Sequence, residues 1–238
     1  PTVSEKSNAI GVGLKASGQL VTSGEGNLLM LSYGAQLERY NLNDSPVLLS
    51  TEYDFASYEG ALLGRFFITK AWYVDTELEH SKKDQKFGFG LSNLRNDVLL
   101  ADERTENKAS INLLYGNDTT NRSISFKLSS ADVKYADINT YSSLFNYKEQ
   151  TFDLNIAFKQ SSLTRWLLGF EATDDNYESD FREDSRLYRL LLGVDWRPSG
   201  KSKFQALFGA YRREPDNDEA STDLSWAIDY YYQAKPDV

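Results

Sequence analysis

The chain has no cysteine, one methionine and one histidine in 238 residues. Without cysteine there is no disulfide framework and no thiolate metal site. His80 has no serine or cysteine partner in its surroundings, and nucleophilic catalysis needs nucleophile and base within hydrogen-bond reach. The sequence therefore reads as that of a non-enzyme, and nothing in it calls for a cofactor. No run approaches the roughly 18 apolar residues of a membrane helix. Nowhere do apolar residues recur at helical spacing over two capped turns. Gly-rich phosphate loops, zinc spacings, the twelve-residue calcium pattern and repeats beyond a hairpin rhythm are also missing. The net charge is −9 with no clustered basic stripe, which argues against a nucleic-acid partner. No signal peptide precedes Pro1, so the chain is expected to be a processed or trimmed product.

What the chain does have is aromatic residues and strict alternation. It holds 15 Tyr, 13 Phe and 4 Trp. From Ser185 to Arg197, Tyr188, Leu190, Leu192, Val194 and Trp196 alternate with Arg189, Gly193, Asp195 and Arg197. Phe204, Ala206, Phe208 and Ala210 then alternate with Gln205, Gly209 and Tyr211, and Leu224, Trp226, Ile228, Tyr230 and Tyr232 with Asp223, Ser225 and Asp229. Successive side chains of a strand point to opposite faces. Each segment thus has one apolar face ending in aromatics and one face of mixed charge, as a strand does between lipid and a watery lumen. A mean hydropathy of −0.53 does not conflict with this, because such strands spend only alternate residues on lipid.

Eight earlier segments follow the same rule, eleven in all. They run over Asn8–Leu20, Leu28–Tyr40, Tyr53–Ile68, Trp72–Ser81, Glu106–Gly116, Arg122–Ser130, Tyr147–Lys159 and Thr164–Asp174. The third is ambiguous: Leu62, Phe66 and Ile68 share one parity while Leu63 and Phe67 oppose them beside Arg65, and a bulge is one way to change phase there. A further strand near Lys86–Leu91 is the alternative to this count. Links after the third, seventh and ninth segments are short, whereas 41–52, 82–105, 131–146, 175–184 and 212–222 are longer and polar. Outer-membrane barrels place short turns on one side and long loops on the other. The expected fold is all-β: a single antiparallel transmembrane up-and-down β-barrel domain over 1–238 with more than ten strands. An odd count starting on the long-loop side leads us to expect at least one further strand upstream, and the Lys235-Pro236-Asp237-Val238 turn to expect more downstream.

At Phe66-Phe67-Ile68-Thr69, Trp72 through His80, Gly193 through Lys201 and Gln205 through Gly209 the chain resembles the outer-membrane β-barrel family of exopolysaccharide biosynthesis clusters, also called type 2 β-barrel porins. The resemblance implies a bacterial outer-membrane location, lipid and lipopolysaccharide around the barrel, and polysaccharide and periplasmic export components as partners. It supplies no catalytic residues. The family's Tyr-Asp-Asp-Asn-like stretch near the mature N-terminus has no counterpart here.

The presumed lumen face carries Lys15, Glu38, Asp75, Glu77, Glu79, Lys127, Asp153, Lys159, Arg165, Glu171, Arg189, Asp195, Arg197 and Asp229. These either line a hydrated conduit or pair across strands as structural ion pairs. Tyr73, Tyr211 and Tyr231 are candidates for a sugar-stacking track or for plain lumen filling. Trp72, Trp166, Trp196, Tyr230 and Tyr232 are read as membrane-interface aromatics. The acidic clusters at Asp174-Asp175, Glu178, Asp180, Glu183-Asp184 and at Asp216, Asp218, Glu219 are either solvated loops or cation sites facing lipopolysaccharide. The expected function is an outer-membrane channel for exopolysaccharide export through a mixed-charge lumen; the alternative is a non-conducting barrel whose long loops bind surface polymer or a partner protein.

Overall fold

The computed structural model describes residues 8–24, 27–43, 52–84, 103–117, 120–136, 142–199 and 201–232. They form eleven strands: β1 (Asn8–Gly24), β2 (Asn27–Asn43), β3 (Glu52–Phe67), β4 (Trp72–Asp84), β5 (Glu103–Tyr115), β6 (Arg122–Tyr135), β7 (Tyr147–Lys159), β8 (Thr164–Tyr177), β9 (Ser185–Ser199), β10 (Ser202–Pro215) and β11 (Ser221–Tyr232). Every strand is antiparallel to the next, in the order β1 to β11 without a crossover. This is the expected all-β up-and-down architecture. The sheet is not closed: among the described residues β1 and β11 are not paired with each other. The alternative strand near Lys86–Leu91 lies outside the described residues.

The register puts one parity on one face throughout. Leu31, Leu62, Leu78 and Ala109 are successive cross-strand partners, and so are Leu154, Phe170, Leu190 and Ala210. That apolar face is the exposed one. Leu192 is 60% exposed and Trp226 68%, whereas Asp195 on the opposite face is 5% exposed and Arg165 8%. A sheet of a water-soluble protein buries the reverse set. Among the described residues the buried apolar side chains are only Val133, Phe145, Ala157 and Ala206.

β3 needs no bulge, since its registers with β2 and β4 run unshifted. Its alternation is blurred because Gly60 and Gly64 occupy apolar-face positions while Leu63 and Phe67 lie on the polar face. The Phe66 ring covers Gly64, with ring carbon Cε2 only 2.6 Å from where a Cβ would sit. Ile68 lies in the turn, where its N–H donates to the Trp72 carbonyl at 2.9 Å. The strands also run further than alternation indicated at the long-link end. β4 reaches Asp84, β6 Tyr135, β8 Tyr177 and β10 Pro215, which shortens the links to 85–102, 136–146, 178–184 and 216–220. There the apolar face turns polar at Lys82, Asp132, Asp174 and Arg212, so the hydropathy signal ends before the hydrogen-bond ladder does.

The turn from β5 to β6 depends on Gly116, which has φ +70°. Its N–H donates to the Ala71 carbonyl at 2.8 Å, and a Cβ would come within 2.5 Å of both Thr120 Oγ1 and the Arg122 carbonyl. Gly116→Ala is expected to cost about 1–2 kcal/mol from the left-handed backbone, with the clash added to it. Denaturant unfolding in lipid vesicles measures it, and a neutral result would contradict the turn geometry.

Candidate functional site: the polar wall and its long-link mouth

The polar face is organised in rows along the hydrogen-bonding direction. One row passes from Asp223 on β11 through Tyr211, Arg189, Glu171, Asp153, Lys127, Asn112 and Asp75 to Arg65 on β3. Signs mix along it, and neighbours bond. Arg65 makes a bidentate pair with Asp75, both contacts at 2.7 Å. Arg189 Nη1 donates to Glu171 at 3.0 Å, and Tyr211 Oη to Asp223 at 3.4 Å. Half-exposed pairs of this kind contribute about 0.2–1 kcal/mol each. Next to the row toward the long links, Ser110 donates to Glu77 at 3.4 Å, and the Thr151 and Thr173 hydroxyls meet at 3.2 Å.

A second polar set lies near the short turns. Asp229, Gln205, Asp195, Arg165 and Lys159 are successive partners. Arg197 folds back onto Asp195 at 2.8 Å, Lys203 approaches the same carboxylate at 3.9 Å, and Arg165 Nη2 donates to Ser123 Oγ at 2.8 Å. Of these, Ser123, Arg165, Asp195, Arg197, Lys203 and Gln205 border a depression of about 620 Å³ whose other walls include Tyr73, Ser125 and Asn155. A roomier hollow of about 700 Å³ lies mainly on the apolar face, between Ile111, Leu128, Phe152 and Tyr188.

The expected lining residues therefore share one face, but only some form a group. Asp75, Lys127, Asp153, Glu171 and Arg189 lie in the first row, and Lys159, Arg165, Asp195, Arg197 and Asp229 in or beside the second. Glu77 lies next to the first row. Glu79 sits opposite Lys108, and Lys15 opposite Gln36, which bonds Glu38 near the β1 edge. The three tyrosines do not make one track. Tyr73 has the Arg65 guanidinium 4.8 Å above its ring and Phe67 5.5 Å away, Tyr211 lies in the first row, and Tyr231 is 62% exposed on β11.

The five expected interface aromatics all fall on the apolar face at the short-turn end. Further rings join them there: Tyr115 is 5.0 Å from Trp72, Phe158 is the partner of Trp166, and Phe204 lies between Trp196 and Tyr230. His80 lies on the apolar face and pairs through Nδ1 with Asn107 Oδ1 at 2.6 Å.

The long-link mouth holds a cluster that sequence reasoning missed. A short 3-10 helix, Ser142–Phe145, packs on β6 where Val133 is fully buried, and Phe145 itself is only 7% exposed. Val133, Tyr147 and Tyr177 share the polar-face parity, so the helix covers that face. The β8–β9 link locks onto it. Ser179 Oγ donates to the Leu144 carbonyl at 2.9 Å, and Asn146 Nδ2 to Glu178 at 3.0 Å. That amide and Lys134 hold the Glu178 carboxyl below its usual range. Phe181 meets Phe145 edge-on at 5.7 Å. Arg182 lies over the rings of Phe145 at 5.2 Å and Tyr177 at 5.5 Å. The trace in the sequence is apolar Leu144-Phe145 and Phe181 within otherwise mostly polar links. Much of the acidic loop sequence is taken up in the same way: Asp184 accepts the Tyr177 N–H at 2.6 Å, and Asp174 pairs with Arg186 at 3.3 Å. Among the described residues no three His, Cys, Asp or Glu side chains converge as metal ligands.

No family model matches the chain. No curated protein matches it either. Solved structures similar to it include a chain described as "KdgM porin", at 9% identity, covering 94% of this chain and 100% of that one, with a TM-score of 0.32.

Proposed function

We propose that this chain forms the wall of an outer-membrane β-barrel channel whose polar face lines a hydrated path for a polysaccharide. The observation that carries the reading is the inverted sheet: leucines and tryptophans exposed on one face, Arg165 and Asp195 buried on the other. From Tyr188 to Trp196 the apolar face of β9 spans on the order of 20 Å at the usual barrel tilt, close to the band of such proteins. A ring of aromatics at its short-turn edge fits the lipid headgroup boundary. The wall offers many hydroxyls, amides and paired charges of both signs, and no tight single site. Weak contacts in series suit conduction, which needs release as well as capture. The resemblance to exopolysaccharide-cluster barrels supports a polymer bound for export. Paired side chains such as Arg65–Asp75 support the second reading, a closed structural barrel.

Planar-bilayer conductance of the protein, with and without long acidic and neutral polysaccharides, separates the two. We expect a steady conductance that polymer blocks, with Arg189→Glu altering the block severalfold through loss of its contact to Glu171. A folded barrel that passes no current would refute the conduit.

A further inference from the structure

The cluster at the long-link mouth leaves one ring unused. Phe181 is 60% exposed, although its ring packs against buried Phe145. Arg182 is fixed beside it by two rings and by a 3.4 Å hydrogen bond to Tyr177 Oη. Asp180 and Glu183 flank the pair and are exposed. The surface therefore presents a flat apolar ring, more than half exposed, bordered by a held cation and by carboxylates. A pyranose offers the complementary surface, a C–H face to stack and hydroxyls around its rim that both donate and accept.

Other occupants fit less well. The apolar element is a single ring among charges, far below the roughly 800 Å² per side of a stable protein interface. It also lies beyond Lys148 and Asn176, which end the apolar face of β7 and β8, so it is outside the lipid-facing band. We infer that Phe181 and Arg182 form a docking platform for a neutral pyranose chain at the long-link mouth. The proposal rests on the conduit reading: the platform would hold the polymer where it passes the mouth.

The test uses the full chain in detergent, titrated with cellohexaose. Wild type is expected to bind weakly and saturably, and Phe181→Ala to bind about tenfold less tightly. Phe181→Trp should keep the affinity, and its added emission should change in step with saturation. Arg182→Ala should weaken binding about threefold. The proposal is overturned if wild type does not bind, if F181A binds as well as wild type, or if F181W loses binding along with F181A, which would mark a purely structural role. Conductance distinguishes the two readings: a channel that stays shut while cellohexaose binding follows this pattern refutes the conduit and leaves the platform standing.

Discussion

Leu192→Arg should strongly destabilise the inserted chain, whereas Leu191→Arg, one residue away, should not. Leu192 lies on the apolar face of β9 between Leu168 and Phe208 and is 60% exposed. If that face meets lipid, an arginine near the bilayer midplane costs about 2–4 kcal/mol. Leu191 points to the polar wall, where its cross-strand partners are Gly169 and Gly209. Leu191 borders the depression of about 620 Å³ on that wall, which has room for a longer side chain and lets water reach its charge. The expected penalty there is under about 1 kcal/mol, as for a surface change. Reversible unfolding from phospholipid vesicles measures both. Equal penalties would mean that the two faces do not differ in solvent, and the membrane reading would fail with that result.

Asp195→Ala carries the second large effect. Its carboxylate is 5% exposed and holds Arg197 at 2.8 Å and Lys203 at 3.9 Å, with Arg165 directly across on β8. Removing one partner of a buried pair typically costs about 3–5 kcal/mol, because the remaining charge is left uncompensated. Arg197 is 39% exposed, so water screens part of that, and about 2–3 kcal/mol is expected. The same change leaves three cations facing one depression, so reversal potentials should move toward anion preference. A stable, unselective Asp195→Ala channel would show that the cluster contributes neither to the fold nor to the path.

The parts of the structure that could be read from the sequence were those set by a period of two. From β4 to β11 the apolar parity of the sequence is the exposed face of the sheet, and Trp72, Trp166 and Trp196 fall together at one edge. β3 was obscure for a local reason: Gly60 and Gly64 remove side chains from the apolar face, while Leu63 and Phe67 add them to the other. Strand ends were hidden where Lys82, Asp132 and Asp174 replace apolar residues without breaking the ladder. Register is what brings Asp223, Arg189, Glu171, Lys127 and Asp75 into one row, and alternation within a strand carries no information about its offset to the next. The mouth cluster was the least legible, because Phe145 and Phe181 meet across two links and neither link repeats any pattern.

Each described strand pairs only with its sequence neighbours, so their assembly never has to bring distant stretches together before a contact forms. Hairpins can close one at a time, each with a small loss of chain entropy. Yet among the described residues only Val133, Phe145, Ala157 and Ala206 are buried apolar side chains, so hydrophobic collapse in water has little to gather there. The thermodynamic drive has to come from a surrounding that solvates leucine and tryptophan. If the exposed face meets lipid, the solvent outside the sheet supplies most of the folding free energy, and local hairpins keep the entropy lost at each step small.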